Sequence, residues 1–84
     1  TVVDVRLDRE WREGHIPGAV HIELGELKSR AGELPRDSTV AVTCSVGQRS
    51  STGVSMLQAL GFQQVENIAG GTTAWKRAGF PVAQ

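Results

Sequence analysis

Apolar, β-branched residues fall in short runs along this chain, and the stretches between them carry helical spacing. Thr1-Val2-Val3-Asp4-Val5 and Thr39-Val40-Ala41-Val42-Thr43 are the strongest runs, the second following the turn-like Pro35-Arg36-Asp37-Ser38. Both read as buried strands. Val20-His21-Ile22 and Val65-Glu66-Asn67-Ile68 have the same character more weakly, each with glycine nearby.

Leu24, Leu27, Ala31 and Leu34 recur at helical intervals, although Gly25 and Gly32 predict a short or irregular helix there. The best helix is expected over Ser50 to Leu60, with Val54, Leu57 and Leu60 on one side, Ser50 and Ser51 as caps, and Gly61 as its stop. A last helix is expected over Thr72 to Ala78. Lys76 and Arg77 occupy its final turn, where cations suit the helix dipole, and Gly79 and Pro81 close it. Asp8 is expected to cap a single turn that carries Glu10 and Trp11. Strands that alternate with helices through short loops predict an α/β architecture, a mostly parallel sheet of four to five strands flanked by helices.

Length and charge narrow the functions that such a fold could serve. The 84 residues suffice for one domain, and 39% hydrophobic against 21% charged residues is ordinary globular usage. Nine basic residues balance nine acidic ones, so no global field draws in nucleic acid or an anionic membrane, and neither is expected as a partner. No apolar run approaches the roughly 18 residues of a membrane span, and nothing at the start resembles a signal peptide, so the expected setting is cytoplasmic. With a single cysteine and two histidines, neither an internal disulfide nor a metal site is expected, and no cofactor is called for.

The chemistry centres on that cysteine. Cys44 follows the strand ending at Thr43 and precedes the helix expected from Ser50, the place where open parallel sheets bind ligands. A lone cysteine is most often a small buried hydrophobe. Here, however, a helix N-terminus supplies unpaired N–H groups and a partial positive charge, both of which favour a thiolate. Gly47 allows the loop to turn its N–H groups inward as an anion-binding nest, and Arg49 adds a full charge at the rim. The candidate site is therefore Cys44 as nucleophile with Ser45, Val46, Gly47, Gln48, Arg49 and Ser50 around the bound group.

Four segments in order resemble the rhodanese, or thiosulfate sulfurtransferase, family in its single-domain form. They are Val3-Asp4-Val5-Arg6; the run Glu10-Trp11-Arg12-Glu13-Gly14-His15-Ile16-Pro17-Gly18-Ala19; the loop Cys44-Ser45-Val46-Gly47-Gln48-Arg49-Ser50; and Gly70-Gly71-Thr72-Thr73-Ala74-Trp75 with Gly79-Phe80-Pro81-Val82. The resemblance implies a three-layer rhodanese-like fold over residues 1–84 and a sulfurtransferase activity. A sulfane sulfur would pass from a small-molecule donor such as thiosulfate, through a Cys44 persulfide, to a thiol, to cyanide or to a protein acceptor. Arg49 would either steer an anionic donor or pair with Glu10 to brace the loop, and Asp4, Arg6 and His15 match family positions with mainly structural roles. Trp11 and Trp75 read as core or rim packing.

Glu23 stands where many members have proline, and Thr43 where an aromatic residue or histidine often precedes the cysteine. The strand that usually precedes Val-Asp-Val-Arg has no residues here. The chain is thus expected to be part of a larger protein, with one sheet edge short. Two other functions fit the same residues. A sulfur-relay or regulatory module of a larger protein is one. A cysteine phosphatase or arsenate reductase is the other, although those enzymes space cysteine and arginine by five residues and Cys44 to Arg49 encloses four.

Overall fold

The computed structural model describes all residues from Thr1 to Gln84. Four strands, β1 (Val2–Asp4), β2 (Val20–His21), β3 (Val40–Thr43) and β4 (Val65–Asn67), form one sheet in the order β2-β1-β3-β4. Every pairing is parallel: Val3 lies beside Val20 and Val42, Asp4 beside His21 and Thr43, and Val42 beside Asn67. The expected α/β class holds, with four strands rather than five. Parallel neighbours require crossovers, and helices α1 (Asp8–Arg12), α2 (Leu27–Arg30), α3 (Gln48–Ala59) and α4 (Gly71–Arg77) lie in them or follow the last strand. No helix is long and apolar enough to cross a membrane.

The β-branched runs supply the centre of the core. Val3, Val5, Val40 and Val42 pack with Ile22, Leu27, Ala31, Leu34, Leu57, Phe62 and Cys44 itself. On α3 the buried face is Ser50, Gly53 and Leu57, with Val54 half-buried, so its inner stripe is narrower and smaller than the leucine spacing predicts. A Cβ on Gly53 would come within 3.2 Å of Val42 Cγ1, and its absence lets the helix lie close on β3.

Three helix predictions need correction. The segment from Leu24 to Leu34 is a 3-10 turn (Leu24–Glu26), the single turn α2 and a second 3-10 turn (Ala31–Glu33), because Gly25 and Gly32 weaken the helical continuity that the leucine spacing favours. The best helix begins at Gln48, two residues before Ser50. Gly47, with φ +113°, is its N-terminal boundary, so Ser50 and Ser51 lie within the first turn and cap nothing. Asp8 likewise lies inside α1. Leu7 is the boundary residue, and its N–H donates to Glu10 Oε1 at 3.1 Å. Asp8's own N–H donates to Glu23 Oε2 at 2.9 Å. The glutamate that departs from the family's usual proline thus satisfies one of the free donors at the start of α1.

Candidate active site

Cys44 is 1% exposed at the carboxyl end of β3, and two elements shape the loop around it. From behind, the start of α4 holds the loop carbonyls. Thr72 donates to the Cys44 carbonyl through its N–H at 2.8 Å and its hydroxyl at 3.0 Å, and Thr73 N–H donates to the Ser45 carbonyl at 3.0 Å. With those carbonyls turned towards α4, the amides that follow turn towards sulfur. Gly47 N–H donates to Sγ at 3.1 Å. The N–H of Gly47, the boundary residue of α3, has no partner within the helix and is spent on the cysteine.

Gly71 makes this clamp possible. It sits at φ +57° against the loop, and a Cβ there would collide with the Cys44 carbonyl oxygen and lie 2.7 Å from that of Ser45. The sequence shows the Gly70-Gly71 pair but gives no reason for it, since the residues it touches are 26 to 27 positions away in the chain.

These contacts set the state of the thiol. Burial pushes the Cys44 pKa up. The Ser50 hydroxyl and the N–H groups of Ser50, Gly47 and Val46 pull it down by more, leaving it below the ordinary cysteine value. Alkylation by iodoacetamide is therefore expected to show a midpoint below the reference of about 8.5. A midpoint at or above that reference would mean that the amides do not reach the sulfur in solution.

Arg49 makes the choice that the sequence left open. Its Nη1 and Nη2 donate to Glu10 Oε1 and Oε2 at 2.7 and 2.9 Å, a two-pronged fork that ties the first turn of α3 to α1. The hydrogen bond from Arg49 outweighs the opposing effect of burial and lowers the Glu10 pKa from 4.5 to about 2. A carboxyl held low in the folded state stabilises that state fully above about pH 4.5. The contribution fades as pH falls towards 2. Arg49→Lys is expected to lower kcat/KM almost as far as Arg49→Ala, about tenfold, because lysine cannot reproduce the planar fork. If lysine restores most of the activity, its charge rather than its geometry is what matters.

Around this site the remaining family positions serve the scaffold. Arg6 and Asp4, 4% and 0% exposed, pair through Nε and Nη2 at 2.9 to 3.1 Å, and Arg6 Nη2 also donates to the Gly14 carbonyl at 2.9 Å. His15 stacks on Trp11 with ring centroids 3.4 Å apart, and its Nδ1 lies 2.8 Å from the Trp11 carbonyl. His21 places Nε2 2.8 Å from the Arg6 carbonyl. A carbonyl can only accept, so each imidazole spends an N–H on the backbone.

Of the sequence-derived site residues, Gly47 meets the Cys44 sulfur through its N–H and Ser50 through its hydroxyl oxygen. The Val46 side chain is 59% exposed at the rim. Ser45 turns its hydroxyl to Thr73 Oγ1 at 3.4 Å, away from the sulfur. Gln48 opens α3 and makes no side-chain hydrogen bond to the cysteine. Asn67, at the end of β4, was missed. It accepts from Ser50 Oγ at 2.6 Å and donates to Ser51 Oγ at 2.9 Å, and no local pattern in the sequence marks it.

A groove of about 570 Å³ opens beside the loop, lined by Val46, Gly70, Thr73, Ala74, Arg77 and Ala78. Most of its lining comes from α4, including the exposed Arg77. A second hollow, between Lys28 and the C-terminal end of α3, lies at the opposite end of that helix from Cys44.

Known proteins share both the sequence and the fold. The Rhodanese-like domain family model matches residues 1–78. A sulfurtransferase of Allochromatium vinosum is 35% identical over 96% of this chain and 76% of its own length. A putative sulfur carrier protein of Bacillus subtilis, YrkF, is 38% identical over 88% of this chain, which spans only 40% of that relative. The crystal structure of a rhodanese-related protein from Thermoplasma volcanium superposes with a TM-score of 0.92 at 36% identity, covering 99% of this chain and 82% of its own. On the matched residues, the sheet and the strand-cysteine-loop-helix order, the chain belongs to the rhodanese-like domain family.

Proposed function

We propose that this domain is a sulfurtransferase in which Cys44 carries a sulfane sulfur as a persulfide. One observation carries the reading: Sγ sits buried at the end of β3, accepts a hydrogen bond from Gly47 N–H at 3.1 Å and lies 3.4 Å from the Ser50 hydroxyl oxygen, and its pKa is held below the ordinary cysteine value. An inward N–H at the start of a helix stabilises a sulfur-centred anion without donating a full proton, by the electrostatic logic of an oxyanion hole.

In the first step the thiolate attacks the outer sulfur of a donor such as thiosulfate. The Cys44–sulfur bond forms, the donor's S–S bond breaks, and sulfite leaves with the electron pair. In the second step an acceptor nucleophile attacks the outer sulfur, the Cys44–sulfur bond breaks, and the thiolate returns. Cyanide would leave as thiocyanate and a thiol as its own persulfide. No other cysteine in these 84 residues can resolve the persulfide, so the acceptor comes from outside them. The groove lined by Val46 and Arg77 offers an approach for donors or acceptors that carry an anionic group.

A sulfur-relay role, handing the persulfide to a protein, fits the relative named as a putative sulfur carrier and the exposed Val46 at the loop tip. The phosphatase reading is disfavoured because the Arg49 guanidinium, which would have to face a phosphate, is forked on Glu10. Intact mass after incubation with thiosulfate tests the proposal. The expected result is a gain of one sulfur atom that dithiothreitol removes, followed by thiocyanate release on adding cyanide. A chain that gains no sulfur from thiosulfate or from a low-molecular-weight persulfide is not a sulfurtransferase.

A further inference from the structure

We infer that Asn67 is a positioning residue that acts on Cys44 through Ser50, by competing with the thiolate for the single hydroxyl proton of that serine. The inference rests on Cys44 being the reactive group of the proposed function, and it concerns a residue on a different strand from the loop.

Ser50 is fully buried between Cys44 and Asn67, and its hydroxyl has one proton to give. That proton goes to Asn67 Oδ1, at 2.6 Å. The amide cannot usefully turn over. Its Nδ2 donates to Ser51 Oγ at 2.9 Å and to the Gly47 carbonyl at 3.4 Å, and Ser51 has already spent its own proton on that carbonyl at 2.9 Å. Reversal would set Oδ1 against the Gly47 carbonyl and against Ser51 Oγ unless that hydroxyl gave up its own bond to the carbonyl. Asn67 is thus locked with its oxygen towards Ser50, and the lone pairs of Ser50 are left for the Cys44 thiol, whose Sγ donates at 3.4 Å.

This arrangement suits the thiol and opposes the thiolate. When Cys44 loses its proton to solvent, Sγ becomes an acceptor facing another acceptor. Ser50 can serve the new anion only by rotating its O–H away from Asn67, which gives up the short bond to Oδ1. Asn67 thereby sets how much the Ser50 hydroxyl can contribute to acidifying the cysteine. Once an outer sulfur is bound, the charge moves one atom outward, Sγ is neutral, and the proton can return to Asn67.

The charged groups around the thiol come from other elements and are left intact by changes at Asn67. Arg49 in the first turn of α3 is held by Glu10 of α1, and Asp4 with Arg6 lies at the end of β1 beside Thr43. The start of α4, which grips the Cys44 carbonyl, is Gly71, Thr72 and Thr73 and bears no charge.

The test is the pH dependence of Cys44 alkylation by iodoacetamide, measured without any sulfur donor, so that it succeeds or fails separately from sulfur transfer. Asn67→Ala frees the Ser50 proton for the thiolate, and its midpoint is expected to fall by about one pH unit. Asn67→Asp binds that proton more strongly and adds a negative charge, so its midpoint should rise by about as much. In a Ser50→Ala background the shift caused by Asn67→Ala should vanish, and only the charge effect of Asn67→Asp should remain. Asn67 is exposed at the sheet edge, so the variants should fold, and circular dichroism checks that they do. The inference is overturned if Asn67→Ala leaves the midpoint unchanged or raises it, or if its shift persists without the Ser50 hydroxyl.

Discussion

Cys44→Ser is expected to remove sulfur transfer completely while leaving the fold in place. The two side chains differ by one atom, and the serine hydroxyl can occupy the same buried space at the end of β3 and still accept from Gly47 N–H. Its chemistry is different. An aliphatic hydroxyl is not ionised to a useful extent near neutral pH, and the surroundings that lower the thiol pKa cannot make up that gap. The variant should gain no sulfur by intact mass and release no thiocyanate. Its melting temperature should stay within about 5 °C of the parent, a change of about 1 kcal/mol at most in a domain of this size. Cys44→Ala is the useful contrast. It too is inactive, but it leaves the inward N–H groups without an acceptor and should be less stable than the serine variant. Turnover retained by well-folded Cys44→Ser would remove Cys44 from the mechanism.

The parts of this site that are legible in the sequence are those that local order determines. A β-branched run followed by cysteine, glycine and a helical stretch places Cys44 at the end of a parallel strand whatever the details, because strand, loop and helix are contiguous. The Arg49–Glu10 fork could be named only as one of two alternatives, since its partners stand 39 residues apart. Other features have no local signature at all. Ser50 reads both as a cap and as a residue of the Cys44 loop, and nothing near it in the chain points to Asn67. Its contact with Cys44 is local to the loop, and its partner Asn67 is brought to it by the pairing of β3 with β4. Glu23 reads as a neutral departure from the family, yet it accepts from the first N–H of α1, the helix that carries Glu10. The helix boundaries moved for a related reason: Gly47 takes a backbone conformation that ends the loop two residues early, and Gly25 and Gly32 interrupt a leucine pattern that would otherwise continue.

The Gly70-Gly71 pair is the plainest case of a motif whose reason appears only in three dimensions, and it yields the second large effect. Gly71→Ala should destabilise the domain and disable the loop together. Part of the cost is conformational, since φ +57° is a left-handed backbone that costs an L-residue about 1–2 kcal/mol. The larger part is contact: the new methyl would meet the Cys44 and Ser45 carbonyls, which the next two residues, Thr72 and Thr73, hold by hydrogen bonds. Either α4 moves off the loop and those bonds lengthen, or the loop carbonyls move and the amides facing Sγ move with them. A total loss of about 2–4 kcal/mol would lower the melting temperature by roughly 10–25 °C. Displacing even one of the amides that stabilise the anion should reduce turnover by about tenfold or more at a temperature where the variant is still folded. Gly79→Ala separates the two causes. Gly79 has a similar φ of +78°, but a Cβ there meets nothing within 4 Å, so only the conformational cost applies and activity should be unaffected. Thermal unfolding, alkylation rate and sulfur transfer measured on both variants decide the matter. If Gly71→Ala is no less stable than Gly79→Ala and alkylates at the parent rate, the grip of α4 on the carbonyls is not what aims the loop amides at Cys44.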